Sequence, residues 1–376
     1  MNEAYITFIV TQACQLRCKY CYLIGKNDKG RMSLDVAMKA IDVLFNESIV
    51  ISKPYVTFDF IGGEPLLEIN LISDITDYLI QKMKELRMYD WLNSYRINIT
   101  TNGLLYKNIN VQNYIAKHKE HLNVSISIDG NKIKNDKNRV YADGRGSYDD
   151  LIPNIRLWVA QWASVNTRMT ISHDDLPYVN EALQHLVNCG IYNIDVNPVL
   201  EDVWFEGDDL ILEEQLKMFA DYIIDNSLWN KLIVTCFDGT IGYPLKKSKK
   251  INPCGADMWT IDAQGNFYTC LRFAAFSLRD KPPRIIGNYK TGINLNLIRP
   301  YFVLSHEFLV NSEKCCDCDI ASGCKYCPAE NYDASADGTI FDRSTNICKM
   351  HRAKVNAKNY YFLLLKNINN GKDKRK

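Results

Sequence analysis

No apolar run in the sequence approaches the roughly 20 residues that a membrane-crossing helix requires. The opening M-N-E-A-Y-I-T-F-I-V has no basic stretch ahead of its apolar residues, which excludes a secretory signal of the usual form. The expectation is a cytoplasmic protein without a membrane partner. Net charge is also almost absent, with 45 Lys and Arg against 44 Asp and Glu. A general electrostatic grip on nucleic acid is thereby excluded, and any partner has to be recognised locally. Cysteine, by contrast, is plentiful: 13 in 376 residues, in a composition of 47% hydrophobic and 24% charged residues that otherwise reads as soluble and globular. In a reducing compartment such thiols argue for metal or redox chemistry rather than disulfides. The length favours two domains, or one large domain with an appendage.

Three thiols, Cys14, Cys18 and Cys21, fall within T-Q-A-C-Q-L-R-C-K-Y-C-Y-L, just after the apolar run Ala4 to Val10 that reads as a buried strand. A loop leaving a strand can turn three thiolates onto three irons of a [4Fe-4S] cube and leave the fourth iron open. A zinc knuckle or unrelated buried thiols would produce a similar triplet, so the partners of the loop decide. The C-x3-C-x2-C spacing with Tyr20 before the last cysteine resembles the signature of the radical S-adenosylmethionine (SAM) superfamily. The resemblance implies that the open iron binds SAM, and that an electron from the cluster splits the sulfonium into methionine and a 5′-deoxyadenosyl radical.

After this loop, Ser33 caps an amphipathic helix to about Ser48. Strands are expected at Tyr55 to Ile61, Tyr95 to Thr101, Leu122 to Asp129, Thr167 to Ser172 and Ile191 to Asn197, with helix-length segments such as Leu176 to Val187 between most of them. That alternation implies a parallel sheet covered by helices, with functional groups at the carboxyl ends of strands. The resemblance adds the closure: an α/β fold with a partial (β/α)6 barrel over residues 1–232, a cysteine-rich SPASM domain over 233–365 and a basic, solvated tail over 366–376.

Strand ends supply the expected SAM contacts. Gly62 and Gly63 free the backbone to approach a ligand, and Glu64, ahead of Pro65, offers a carboxylate to an ammonium. Following a strand in a chain that begins with C-x3-C-x2-C, this G-G-E-P matches the family's amino-group contact. Ser127 and Arg139 flank Asp129 and are 12 residues apart, as in radical SAM maturases that place a serine and an arginine on the ribose and the methionyl carboxylate. Arg suits a carboxylate through its planar fork, although a surface arginine is the commoner occurrence. Thr101, Asn102 and Val199 are further strand-end contacts.

From about Ile233 the strand–helix rhythm gives way to a second cysteine array. Met258 to Cys270 alternates around A-Q-G-N and reads as a hairpin that brings Cys254 and Cys270 together. Cys315, Cys318, Cys324, Cys327 and Cys348 follow. The gap of five residues between the two C-x2-C pairs is far from the roughly 15 to 20 of a zinc ribbon. The array resembles the SPASM domain, which implies two auxiliary [4Fe-4S] clusters and three in all: one on Cys315, Cys318, Cys324 and Cys348, the other on Cys254, Cys270 and Cys327. Where relatives have a further cysteine, this chain has Thr260, so Asp257, Cys316 or Cys236 completes the last cluster or one iron stays open. Cys189, Cys236 and Cys316 otherwise read as idle thiols.

Among similar enzymes, anaerobic sulfatase maturases oxidise a cysteine or serine to formylglycine. They carry a glutamine, a tyrosine and a basic aspartate where this chain has Ile61, Leu23 and Leu271. Carbonyl formation needs a base, so that activity ranks second. The resemblance favours a maturase that forms cysteine thioether crosslinks in a ribosomally made precursor peptide, akin to those acting on C-x-x-x repeats. A low-potential donor of flavodoxin or ferredoxin type is the expected electron source. Because the first strand begins by residue 4, leader recognition is expected from the barrel, the SPASM region or a separate protein. A non-enzymatic iron–sulfur electron carrier is the third reading, and it leaves Glu64, Ser127 and Arg139 without a role.

Overall fold

The computed structural model describes residues 3–25, 30–201, 203–244, 254–306 and 313–373. Its central strand is β1 (Glu3–Thr11), in which Ala4, Ile6, Phe8, Ile9 and Val10 are all buried. A strand apolar on both faces needs cover on both. Parallel to it run β2 (Tyr55–Gly62), β3 (Arg96–Thr101) and β4 (Leu122–Ile126). Helices Leu34–Asn46, Ile69–Glu85 and Ile109–His118 connect or follow these strands. Ser33 caps the first of them, its side chain accepting from the Val36 N–H. The core below is aromatic: Phe8 stacks on Phe60 at 5.4 Å, and Phe45 meets Trp91 edge-on at 5.4 Å.

A second parallel sheet holds β5 (Asn166–Ile171), β6 (Asn193–Pro198) and β7 (Ile233–Val234). Side chains rather than a backbone ladder join it to β4. Thr167 Oγ1 donates to the Ile126 carbonyl at 2.6 Å and accepts from the Ile128 N–H at 3.3 Å, and Ser125 Oγ donates to the Asn166 carbonyl at 2.9 Å. Two expected elements differ in detail. The fourth strand stops at Ile126, so Ser127 to Asp129 form a loop. The helix expected at Leu176 opens as a 3-10 turn, His173–Tyr178, because Pro177 has no N–H to give, and continues as Val179–Asn188.

The cysteine-rich region is built onto the same sheet. Strand β8 (Met258–Ile261) pairs in parallel with the free edge of β1, from Tyr5↔Met258 to Phe8↔Ile261. It turns back as β9 (Asn266–Tyr268), antiparallel to it. Asp262 shapes the turn by accepting from the Gln264 and Asn266 N–H groups at 2.9 Å each, while Gly265 takes the left-handed φ of 76° that the reversal requires. The chain closes with helix Cys348–Asp373, packed on helix Asp208–Asp225. Tyr360 donates to Asp221 and Asn356 to Glu213, at 2.8 and 2.7 Å. The tail expected to fray from Lys366 is therefore helical through Asp373, because the helix that begins at Cys348 has a neighbour to lie against.

Candidate active site

The loops after β2, β3 and β4 converge on the segment that follows β1. Gly63 and Glu64 donate from their N–H groups to the carbonyls of Thr11 and Ala13, both at 2.8 Å. On the other side, the Arg17 and Lys19 N–H groups donate to the carbonyls of Val140 and Asn138 at 2.7 and 3.0 Å. Asn102 Nδ2 donates to Gln15 at 3.1 Å and lies 3.9 Å from Cys14 Sγ. The loop that carries Cys14, Cys18 and Cys21 is thus clamped from three separate strand ends.

These clamps give three of the expected contact residues a task within the protein. The Gly62–Gly63 pair makes room for protein: a Cβ on Gly62 would fall 2.1 Å from the Thr11 carbonyl oxygen, and one on Gly63 2.2 Å from that of Ala13. Gly62 also has φ 152°. Glu64 is buried and turned inward. Its Oε1 accepts from Thr101 Oγ1 at 2.5 Å and from the Leu66 N–H at 3.1 Å, and its Oε2 accepts from the Asn102 N–H at 2.8 Å. Burial pushes this carboxyl up to about 7, against the pull of those donors. Its first function is thus to pin the end of β3 beneath the cysteine loop. Pro65 is buried as the first residue of a 3-10 turn.

Asp129 is likewise occupied by protein. It is fully buried, accepts from Arg139 Nε at 2.9 Å and Nη2 at 3.3 Å, receives the Thr170 N–H at 2.9 Å, and takes the hydroxyl proton of Tyr20 in a further hydrogen bond. Arg139 in turn lies 5.6 Å from the centre of the Tyr20 ring. Asp129 aims the guanidinium, and only Arg139 and Tyr20 of the three line the chamber.

That chamber, of about 410 Å³, is within the range of small-molecule sites. It brings together Cys14, Cys18, Cys21, Gly62, Gly63, Glu64, Thr101, Asn102, Ser127, Arg139 and Val199 from the strand–helix part of the chain, and Cys270 from the hairpin. Leu23, Ile61 and Leu271 line it too. Several residues here carry no signature in the sequence. Lys325, next to Cys324, reaches in and donates to Asn197, and burial lowers its ammonium to about 8. Arg272, two residues past Cys270, pairs with Glu201 and Glu330. A wider groove of about 570 Å³ adjoins the chamber through Tyr20, Cys21, Tyr22, Val199, Glu201 and Arg272, and extends to His173, Phe205, Arg279 and Asp333.

Seven of the remaining thiols form two neighbourhoods. Cys254 and Cys270 share a hydrogen bond that pushes Cys254 up and holds Cys270 down at about 7, and Cys327 is close enough to add to the rise. Burial, together with Cys348, Cys315 and Cys318, pushes Cys324 up to about 11. Of the alternatives for a further ligand, Cys236 is buried in the core and lines neither cavity, and Asp257 is ion-paired to Lys53 at 2.7 Å. Thr260 is buried, and its Oγ1 has no hydrogen-bond partner among the described residues. Among those residues no trio of Cys, His or carboxylates is gathered tightly enough for one metal ion, whereas a cubane spaces its thiolates more widely than a single ion does. Three thiols on one clamped loop, with the Arg139 guanidinium beside them to bind a carboxylate, fit a [4Fe-4S] cluster and SAM.

A parallel α/β sheet whose first strand delivers such a loop into a chamber of strand ends defines a radical SAM enzyme. Residues 8–185 match the family model of the radical SAM superfamily, and that part of the chain is a radical SAM domain. Uncharacterized protein MJ0907 of Methanocaldococcus jannaschii is 29% identical over 316 residues, covering 81% of this chain and 96% of that protein. The antilisterial bacteriocin subtilosin biosynthesis protein AlbA of Bacillus subtilis is 23% identical over 223 residues, 58% of this chain and 45% of AlbA. The solved structure of native anSMEcpe with bound AdoMet and Kp18Cys peptide shares the fold, with a TM-score of 0.68 at 19% identity over 98% of this chain and 99% of that one. No helix among the described residues is long and apolar enough to cross a membrane.

Proposed function

We propose that this enzyme matures a ribosomally made peptide in the cytoplasm, joining a cysteine sulfur to the carbon of a neighbouring residue as a thioether. The observation that carries the reading is that Cys270, a proposed auxiliary-cluster thiol, faces the same chamber as Cys14, Cys18 and Cys21. Radical generation and sulfur handling then share one space. Cys14, Cys18 and Cys21 hold the first cluster; Cys254, Cys270 and Cys327, and separately Cys315, Cys318, Cys324 and Cys348, hold two more. Bound there, the clusters would supply the electron for reductive cleavage of SAM and a sink for the surplus electron of bond formation. Arg139, aimed by Asp129, orients the methionyl carboxylate. Ser127 and Val199 face the nucleoside, and Glu64 keeps the end of β3 in place. The apolar side chains of Leu23, Ile61 and Leu271 leave the inner chamber without the polar groups that carbonyl formation uses, which puts formylglycine formation second.

Co-expression with a short Cys-rich open reading frame from beside the gene, followed by mass spectrometry, tests the reading. A thioether loses two hydrogens and blocks thiol alkylation, while formylglycine formation from cysteine loses the sulfur. A protein that produces no 5′-deoxyadenosine from SAM when reduced is an electron carrier, and the proposal fails.

A further inference from the structure

The groove outside the chamber contains a polar pair that neither SAM nor a cluster needs. His173 stands at the end of β5, and its Nδ1 lies 2.9 Å from both carboxylate oxygens of Asp208. Asp208 is buried at the start of helix Asp208–Asp225, and its Oδ2 also accepts from the Phe205 N–H at 2.8 Å. The Phe205 ring leans on the imidazole with centroids 4.4 Å apart. Carboxylate and ring together fix the plane of the imidazole. With its hydrogen on Nδ1 the neutral ring carries its lone pair on Nε2, and Nε2 has no hydrogen-bond partner among the described residues. Carboxylate-oriented imidazoles of this kind act as proton acceptors, the carboxylate stabilising the imidazolium that forms.

Position decides what proton is available. Both His173 and Phe205 line the groove that opens into the chamber past Tyr22 and Arg272, which is the approach for anything too large to enter the chamber whole. Ile24, Val203 and Phe205, exposed at 57%, 37% and 64%, line that groove, as suits an extended peptide. Its other charged groups are Lys19, Asp174, Glu201, Arg272, Arg279 and Asp333. Of these, Glu201 and Asp333 are held by Arg272 and Arg279. In the inner chamber Leu271 is apolar, and the ionisable groups are engaged by protein: Glu64 by Thr101 and Asn102, Glu201 by Arg272 and Lys325 by Asn197.

We propose that His173, held by Asp208, accepts the thiol proton of a cysteine in the bound peptide. The inference rests on the peptide-maturase reading above. In the step, the substrate S–H bond breaks, an Nε2–H bond forms, and the products are a thiolate and an imidazolium paired with Asp208, with no change in oxidation state. A thiolate is the form in which sulfur binds iron or forms a new bond.

The test uses the full-length reconstituted enzyme and the Cys-containing peptide encoded beside the gene. His173→Gln keeps an N–H for Asp208 but cannot take a proton. A free thiol with its pKa near 8.5 is only about 3% ionised at pH 7 and about three-quarters ionised at pH 9. The variant is therefore expected to form product about 30-fold more slowly than wild type at pH 7 and within about twofold at pH 9, with peptide affinity and peptide-free SAM cleavage unchanged. A deficit that is the same at both pH values, a loss of peptide affinity matching the loss of product, or wild-type turnover overturns the assignment. If the wild type itself leaves the peptide unmodified at every pH while cleaving SAM, the maturase reading has failed instead.

Discussion

Replacing Gly63 with Ala tests whether the two glycines serve the cysteine loop. A Cβ there meets the Ala13 and Gln12 carbonyl oxygens at 2.2 and 2.5 Å, where ordinary contact starts at 3.4 Å. Both obstacles are backbone, so no side chain can swing aside, and the two segments must part by roughly an ångström. That movement breaks the 2.8 Å bonds from Gly63 to Thr11 and from Glu64 to Ala13. At about 1 kcal/mol net for each, the loss is about 2 kcal/mol, and the cysteine loop is displaced from Glu64 and Asn102. Gly144 supplies the control: it has φ 85°, and no atom lies within 4 Å of the place a methyl carbon would take on it. Gly144→Ala therefore costs the about 1–2 kcal/mol of a left-handed residue and leaves the loop alone. Urea unfolding should show similar destabilisation for both variants, while calorimetric titration of reconstituted protein shows SAM affinity about tenfold or more weaker for Gly63→Ala only, equivalent to about 1.4 kcal/mol or more. Gly63→Ala with wild-type SAM affinity would refute the clamp.

Asp129→Asn leaves the buried Arg139 without its counter-charge, and should cost about 3 kcal/mol in denaturant unfolding and weaken SAM binding as well. His351 is buried with Nε2 2.7 Å from the Ile320 carbonyl, and burial lowers its pKa to about 4. Between about 6.5 and 4 the unfolded chain takes up a proton that the folded one refuses, so stability contributed above pH 6.5 is lost as the pH falls, by up to about 3 kcal/mol; unfolding free energies of His351→Gln over that window should lack this slope. Cys236→Ala, in the core and away from both cavities, should cost about 1 kcal/mol with unchanged iron content. Cys270→Ala should lower the iron measured after anaerobic reconstitution, and equal iron in the two variants would refute the ligand assignment.

The strand–helix order up to residue 200 is legible in the sequence because apolar runs of strand length alternate with amphipathic segments, and the ends of β2, β3, β4 and β6 are marked by Gly, Asn or Asp. The convergence of Cys14, Gly62, Asn102, Ser127 and Val199 follows from that order, since parallel strands put their carboxyl ends on one side. What a short polar side chain does at such an end is not legible. Glu64 and Asp129 look like ligand contacts in a linear motif, yet each satisfies protein donors first, because a buried carboxylate takes the nearest N–H groups. Long-range partners are hidden for a related reason. Lys325, Arg272 and the His173–Asp208 pair depend on contacts 35 or more residues apart, which no local spacing encodes. The attachment of β8 to the edge of β1 is invisible as well, since a four-residue apolar strand suits any open edge.

That attachment bears on how the chain is made. Strand β1 leaves the ribosome long before β8; one of its sides finds β2 within about 50 residues, but its other side waits for Met258–Ile261. At about 5–20 residues per second, the interval between the two pairings is roughly 10–40 s. Through that time the nascent chain presents an unzipped apolar border, a period in which a chaperone or premature self-association competes with correct closure.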